Sequence, residues 1–465
     1  MNKIYFLLPL AFYTSFFPLA AQQTDTTTQL IIQEIIPVMD EGFVICKADN
    51  ATQPFTVEFS FYNTALELVS QKQISTYQAG ALFSIEKVFV WNNKLILHGA
   101  HYLVDAKKNQ LFHYEFSLPN LDLLSKKLVL LSRAPEKVYV PYFSKLSPDK
   151  SKLVLLGWDY TKGKENAYVR IRIIDQNLRE IRRQTYRFPY ENRRISIEDV
   201  LVDNSGNVYL TGNNYNGSML VDPSIYRTTP FVTGLFEGNQ NQHWEIEKLD
   251  HHFQTFQYTF STEAELVGIG LCEKKRQQGS AFFKVTPTTE KVAVTTYSVD
   301  KEQFITAYKQ NSKFINPPEH TFNNYELRQV LQGGENYFLV AEHLFDYLVG
   351  DLLVLKLDKN GKIIWSTRVP KSQDATFFDR CTGVATVERA EKLYFLFNDN
   401  ADNYKKEETP REIQIATVPD LHLASAAVDL STGKIQRRLL KNIMDENHLF
   451  LPFLTHAYGQ EAVLI

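Results

Sequence analysis

A small couplet recurs along most of this chain and constrains its fold more than any other feature. An alternating apolar run ends in a short polar turn, and a second alternating run follows. The clearest copy is Leu352-Leu353-Val354-Leu355-Lys356-Leu357, turn Asp358-Lys359-Asn360-Gly361-Lys362, then Ile363-Ile364-Trp365-Ser366-Thr367. Period-2 alternation is the mark of a strand with one covered face. Asp and Asn fold back on their own backbone in such turns, and Gly accepts the positive φ of a hairpin loop. A chain that repeats a hairpin is built radially or as a stack.

The same turn chemistry returns at Asn63, Pro119, Gln176, His251, Thr288, Asn360 and Thr432. A second hairpin precedes many of these and ends near glycine. Ser147-Pro148-Asp149 to Gly157 is one copy and Asp199 to Gly212 another, with weaker copies at Trp91 to Gly99 and Glu391 to Phe397. Two hairpins per unit make a four-stranded antiparallel sheet, one blade of a β-propeller. The expectation is an all-β fold with about seven such blades; a tandem of β-sandwiches is the rival. The intervals are uneven, and the shortest lies between His251 and Thr288.

Three stretches interrupt the pattern and read as insertions near 213–244, 300–318 and 401–412. Tyr215 to Gln242 is polar and loop-like. Asp300 to Asn316 reads as a helix capped by Asp300 and stopped by Pro317-Pro318. Ala401 to Glu412, with Lys405-Lys406-Glu407-Glu408, reads as a solvated loop. The closing segment, Leu449 to Ile465, reads as two strands that complete a blade with Leu30 to Cys46, a device that hides sheet edges.

Residues 1–21 carry Lys3, an apolar stretch, and Pro18-Leu19-Ala20-Ala21 before the polar Gln22-Gln23-Thr24-Asp25. That is the pattern of a secretory signal cleaved after Ala21, leaving 22–465 as a single propeller domain. No other run reaches the roughly 18 apolar residues of a membrane helix, so no stable membrane span is expected after cleavage. The mature protein is then expected in the periplasm, associated with the outer membrane, or outside the cell. With 50 basic and 53 acidic residues, the chain has no global attraction for nucleic acid. Cys46, Cys272 and Cys381 are too few and too irregular for a disulfide framework. They read as buried thiols, with one bridge plus one thiol the alternative in an oxidising compartment.

Val202 to Gly212 and Leu355 to Trp365 resemble repeats of exported bacterial β-propeller proteins of the kind common in Bacteroidetes-type bacteria. The Ser147-Pro148-Asp149 copy is similar to the turn of propellers related to the Tol-system protein. The resemblance implies fold and compartment, and no activity.

Searches for chemistry return little. There is no Gly-x-Ser-x-Gly elbow, phosphate-binding glycine loop, His-Glu-x-x-His or Cys-x-x-Cys, and no metal or cofactor is expected. Neighbours on a strand point to opposite faces, so His251-His252 cannot readily share a metal. Arginine is the anomaly. Arg170, Arg172, Arg179, Arg182, Arg183, Arg187, Arg193 and Arg194 crowd one stretch, offset by only Asp175, Glu180 and Glu191. Arg170 and Arg172 share one strand face. A solvated outer strand explains this, and so does a basic stripe for an anionic glycan, lipid phosphate or acidic protein. Trp244, beside the polar stretch, is the candidate ligand-stacking aromatic. These features favour a non-catalytic exported propeller that binds an envelope protein or anionic glycan. The alternatives are a propeller enzyme acting on an envelope polysaccharide or peptide, and a structural part of an envelope assembly.

Overall fold

The computed structural model describes residues 31–38, 41–48, 56–75, 81–103, 106–133, 142–159, 165–215, 228–246, 252–274, 277–299, 307–309, 325–345, 348–375, 382–404, 412–417, 421–442, 456–458 and 461–463. The chain forms seven four-stranded antiparallel sheets, the blades of a β-propeller. In chain order the blades start at Ile31, Ala81, Tyr142, Ile195, His252, Tyr325 and Ala385. Each runs in simple order from first to fourth strand, and blade 6 gains a short extra pairing from Gln373–Asp374.

Two compact units divide the chain. One comprises Met1–Gln33, Cys46–Phe59 and Gln71–Glu245; the other comprises Glu34–Ile45, Ser60–Ser70 and Ile246–Ile465. Blades 2 to 4 fall within the first unit, blades 5 to 7 within the second, and blade 1 is divided between them.

Alternation explains how each unit buries its core. In the third strand of blade 3, Asn166–Asp175, Val169, Ile171 and Ile173 point one way. They pack with Val200, Val202, Val208, Leu210 and Phe231 of blade 4. The second unit repeats the arrangement: Leu339, Leu353 and Leu355 of blade 6 meet Val267 and Ile269 of blade 5. The opposite face of blade 6, with Val340 and Val354, meets Phe395, Phe397 and Ala426 of blade 7. Each fully buried aliphatic or aromatic side chain contributes roughly 1.5–3 kcal/mol.

The turn residues act as their chemistry requires. Asp175 Oδ1 accepts the Asn177 and Arg179 amides, at 2.9 and 2.8 Å. Asp358 Oδ1 does the same for Asn360 and Lys362, at 2.8 and 2.9 Å. Gly361 adopts φ 82°. Asp203 Oδ1 likewise accepts the Asn207 amide at 2.8 Å, so the Asp203 and Asp358 loops serve as hairpin turns.

Glycine on the second strands allows close approach. A Cβ on Gly212 would lie 2.0 Å from the Ser196 carbonyl oxygen, where the first strand of blade 4 bulges between Ile197 and Asp199. Backbone cannot yield there as a side-chain tip can. Gly212→Ala is therefore expected to cost about 1–3 kcal/mol, read as a lower urea midpoint; an unchanged midpoint would contradict this register.

Four expectations change. The stretch 215–242 is not an inserted loop where described, because Thr228–Leu235 and Asn241–Glu245 are the third and fourth strands of blade 4. Its outer hairpin turns at Glu237–Asn239 instead of His251, which removes the short interval that disturbed the repeat. Within the expected helix, Ala307–Lys309 is a strand paired in parallel with Glu412–Gln414; the rest lies outside the described residues. Ala401–Tyr404 is a 3-10 turn with Asn403 buried, so at least this part of 401–412 is no solvated loop. Finally, among the described residues His456–Tyr458 and Glu461–Val463 pair with each other in a separate hairpin, while Ile31–Ser75 supplies all four strands of blade 1. Closure of a blade by mixed termini is thus replaced by blades built from continuous chain.

Cys46 and Cys272 are buried thiols, and burial pushes Cys272 up to about 12. Cys381 and the residues 1–21 lie outside the described residues. Among the described residues no helix is long and apolar enough to cross a membrane.

Candidate functional site

The sheets place their buried polar groups with a bias. Glu58, Asp159, Asn214, Ser280, Glu342, Asp351 and Asp399 are all buried. Each lies where its blade passes from second to third strand. The opposite ends carry the compact Asx turns. Blades 6 and 7 hold the densest of these polar ends.

In blade 6, Glu342 sits near the end of the second strand, Asn336–Phe345. Lys371 Nζ lies 2.7 Å from its Oε1 and Arg328 Nε 2.8 Å from its Oε2. Burial works to raise the Glu342 pKa, but the two cations outweigh it and hold the carboxyl below its ordinary range. Lys371 is fully buried; that desolvation lowers its pKa against the opposing pull of Glu342. Its ammonium also donates to Gln373 Oε1 at 2.9 Å, and Gln373 in turn donates to the Asn398 carbonyl at 2.8 Å. Asp351 accepts the Tyr325 hydroxyl at 2.6 Å and lies 3.2 Å from Arg368 Nε.

In blade 7, small side chains make room for charge. Ala424 and Ala426 on the third strand, Leu421–Asp429, are fully buried. They lie cross-strand from Leu439 and Arg437 of the outer strand, Ile435–Asn442. Arg437 Nη2 approaches Asp399 Oδ2 at 2.7 Å, and its guanidinium lies 4.5 Å from the Tyr404 ring centre. The Tyr404 hydroxyl and Asn403 Nδ2 donate to the same carboxylate at 2.8 and 2.7 Å. Burial pushes Asp399 up, while Arg437, Asn403 and Tyr404 pull it back. Burial also raises the Tyr404 phenol, as does the adjacent carboxylate.

These acids are surrounded by donors and enclosed, so they act as clamps. What reaches solvent is an open cleft of about 540 Å³ lined by Ala401, Tyr404, Arg437, Arg438 and Leu439. Arg437 is committed to Asp399. Arg438, its exposed neighbour, has no hydrogen-bond or ion-pair partner among the described residues. The lining offers cations, a phenol and aliphatic surface, which suits holding an anion.

The arginines of blade 3 are spread over two faces. The register sets Arg170 opposite Thr185 and Arg172 opposite Arg183, with Val169 and Ile171 on the other face. Arg170 Nε pairs with Asp159 at 2.7 Å. Arg172 Nε lies 2.6 Å from Glu180, and Arg172 donates to the Val129 carbonyl of blade 2. Arg182 points the other way and donates to the Leu235 carbonyl of blade 4 at 3.1 Å. Arg183, exposed, pairs with Glu180 at 2.7 Å; Arg179 is exposed at the Asp175 turn. Trp244 is 3% exposed, edge-on to Phe236 and seated over Gly234.

Sequence reading missed a histidine cluster in blade 2. His98 Nε2 and His113 Nδ1 are 3.0 Å apart, and His98 Nδ1 is 3.0 Å from Ser144 Oγ. The two residues lie directly opposite across the hairpin formed by Lys94–Leu103 and Lys108–Ser117. Counting outward from that turn would have paired them. His251 lies outside the described residues, and among those described no group of His, Cys, Asp and Glu could hold a metal.

No family model and no curated protein matches this chain. Matches among solved structures include the β-propeller domain of the Trilobed protease from Pyrococcus furiosus. It is 11% identical, with a TM-score of 0.40, and the match covers 91% of this chain and 100% of that one. Polysaccharide lyase Uly1 is 10% identical, with a TM-score of 0.41 over 91% of this chain and 94% of that one. Pyrococcus horikoshii acylaminoacyl peptidase is 11% identical, with a TM-score of 0.41 over 91% of this chain and 54% of that one.

Proposed function

We propose that the protein is an exported, non-catalytic β-propeller that binds a protein or glycan partner at the cell envelope. One observation carries the binding role: the open cleft of blade 7 presents an exposed arginine, without a partner among the described residues, and aliphatic surface, while the nearby carboxylates are closed into ion pairs. Hydrolysis of a glycan or peptide calls for an exposed acid, base or nucleophile beside the bond attacked, and the described residues of this lining supply none. Export rests on the signal-like pattern of residues 1–21.

Cross-linking in cells of the native host, followed by purification of the tagged protein, tests both parts. The expected product begins at Gln22, sits in the envelope fraction and carries one partner in stoichiometric yield. Retention of residues 1–21 in a cytoplasmic product would overturn export. Turnover of an envelope polysaccharide or peptide by the purified chain would overturn the non-catalytic role.

A further inference from the structure

We propose that the cleft of blade 7 receives an extended acidic peptide segment, which pairs with the outer strand Ile435–Asn442 and places a carboxylate on Arg438. The inference deepens the binding role proposed above and rests on it.

Three observations converge. First, Ile435–Asn442 ends its sheet and has no further strand partner among the described residues. Its outer backbone groups are a template for strand addition. Second, this strand reads Ile-Gln-Arg-Arg-Leu-Leu-Lys-Asn, with three cations and no acid. Cationic edges also discourage pairing between sheets, but Arg438 differs from a simple guard because it borders a cleft. Third, the two arginines divide the work. Arg437, buried and paired with Asp399, is neutralised and fixes the strand against the turn at Ala401–Tyr404, while exposed Arg438 offers its planar fork for bidentate contact with a carboxylate.

The chemistry favours peptide over sugar. A sugar ring would seek an open aromatic face, and the Tyr404 ring already has the Arg437 guanidinium against it at 4.5 Å. Leu439 and Leu440 are 39% and 48% exposed. Leu439 and Arg438 lie on opposite faces of the strand, so Leu439 suits the apolar positions of an added alternating strand while Arg438 meets its acidic ones.

The test uses the intact chain and fluorescence anisotropy. The probes are a labelled, blocked peptide alternating valine and glutamate, its glutamine counterpart, and a labelled oligogalacturonate. The glutamate peptide is expected to bind, and the glutamine peptide to bind at least about tenfold more weakly. Arg438→Ala should weaken the glutamate peptide by about tenfold or more, the scale of one charge-assisted bond. Arg438→Lys should recover part of that loss. Arg438 is exposed and outside the buried pairs, so its variants are expected to keep the unfolding midpoint of the parent. Binding of the glutamate peptide unchanged by Arg438→Ala would overturn the proposal. Tighter, Arg438-dependent binding of the oligogalacturonate would overturn its peptide class. The envelope partner separates the two levels: a complex undiminished in Arg438→Ala removes the cleft and leaves the binding role, whereas no complex with the parent chain removes both.

Discussion

Asp399→Ala is expected to destabilise the protein by about 3–5 kcal/mol, the cost of removing one partner from a buried ion pair. Arg437 is only 2% exposed in its side chain and Asp399 fully buried. The substitution removes the carboxylate that Arg437, Asn403 and Tyr404 all address, and leaves a guanidinium away from water. Its remaining contacts are the Tyr404 ring and a 3.5 Å approach to the Asn403 carbonyl. Trp365, packed against Phe338 and the cluster joining blades 6 and 7, reports locally on the change. The expected result is a lower urea midpoint followed by tryptophan fluorescence.

A second variant separates charge from packing. Asp399→Leu combined with Arg437→Met removes both charges and fills the space above Ala424 and Ala426 with aliphatic volume. Buried pairs replaced by apolar groups are often neutral or better, so the double variant should recover most of the loss. A loss below about 1 kcal/mol for Asp399→Ala would instead equate this pair with an exposed salt bridge.

The contrast between such clamps and the hairpins explains what was legible in the sequence. Asp358, Asn360 and Gly361 act within five residues of one another, and their side-chain-to-backbone bonds form the turn wherever the fold places it. Alternation in Asn166–Asp175 likewise reports its own two faces. Lys371 is different. Val369-Pro370-Lys371-Ser372-Gln373 reads as a polar connection, yet Lys371 is fully buried because Glu342 meets it from another strand. Nothing local distinguishes this lysine from a solvated one. The partners of the clustered arginines were hidden for the same reason. Arg170 and Arg172 are adjacent on one face, but their partners Asp159 and Val129 lie on other strands. The polar stretch before Trp244 hid two strands, since Thr228–Leu235 carries Pro230 and Gly234, both poor strand formers. Pairing with Val208–Tyr215 overrides that propensity. The blade 7 cleft was invisible because it depends on the 3-10 turn at Ala401–Tyr404 lying beside Arg437.

Acidification is expected to weaken blade 2 through its histidines. Burial lowers the His113 pKa to about 4; Glu115 opposes the shift, and Lys127 and Lys94 add to it. His98 is lowered well below its ordinary value, first by burial and then by His113 and Lys87. A shared N···N contact needs one donor and one acceptor, so the neutral pair fits it and a doubly protonated pair does not. The unfolded chain, with an ordinary histidine pKa of about 6.5, binds more protons than the native chain between about pH 6.5 and 4. Stability therefore falls as pH drops through that window. For His113 alone the loss approaches about 3 kcal/mol, because its native pKa of about 4 lies well below the ordinary value. Below about pH 4 its contribution flattens, because both states are then protonated. The measurement is the urea midpoint at successive pH values for the parent chain and for His98→Asn with His113→Gln. Native acids titrate in both proteins, so the difference in slope isolates the pair. The variant should start less stable near pH 7.5 and lose less on acidification. Parallel curves would mean that the two histidines accept protons in the native blade as readily as in the unfolded chain.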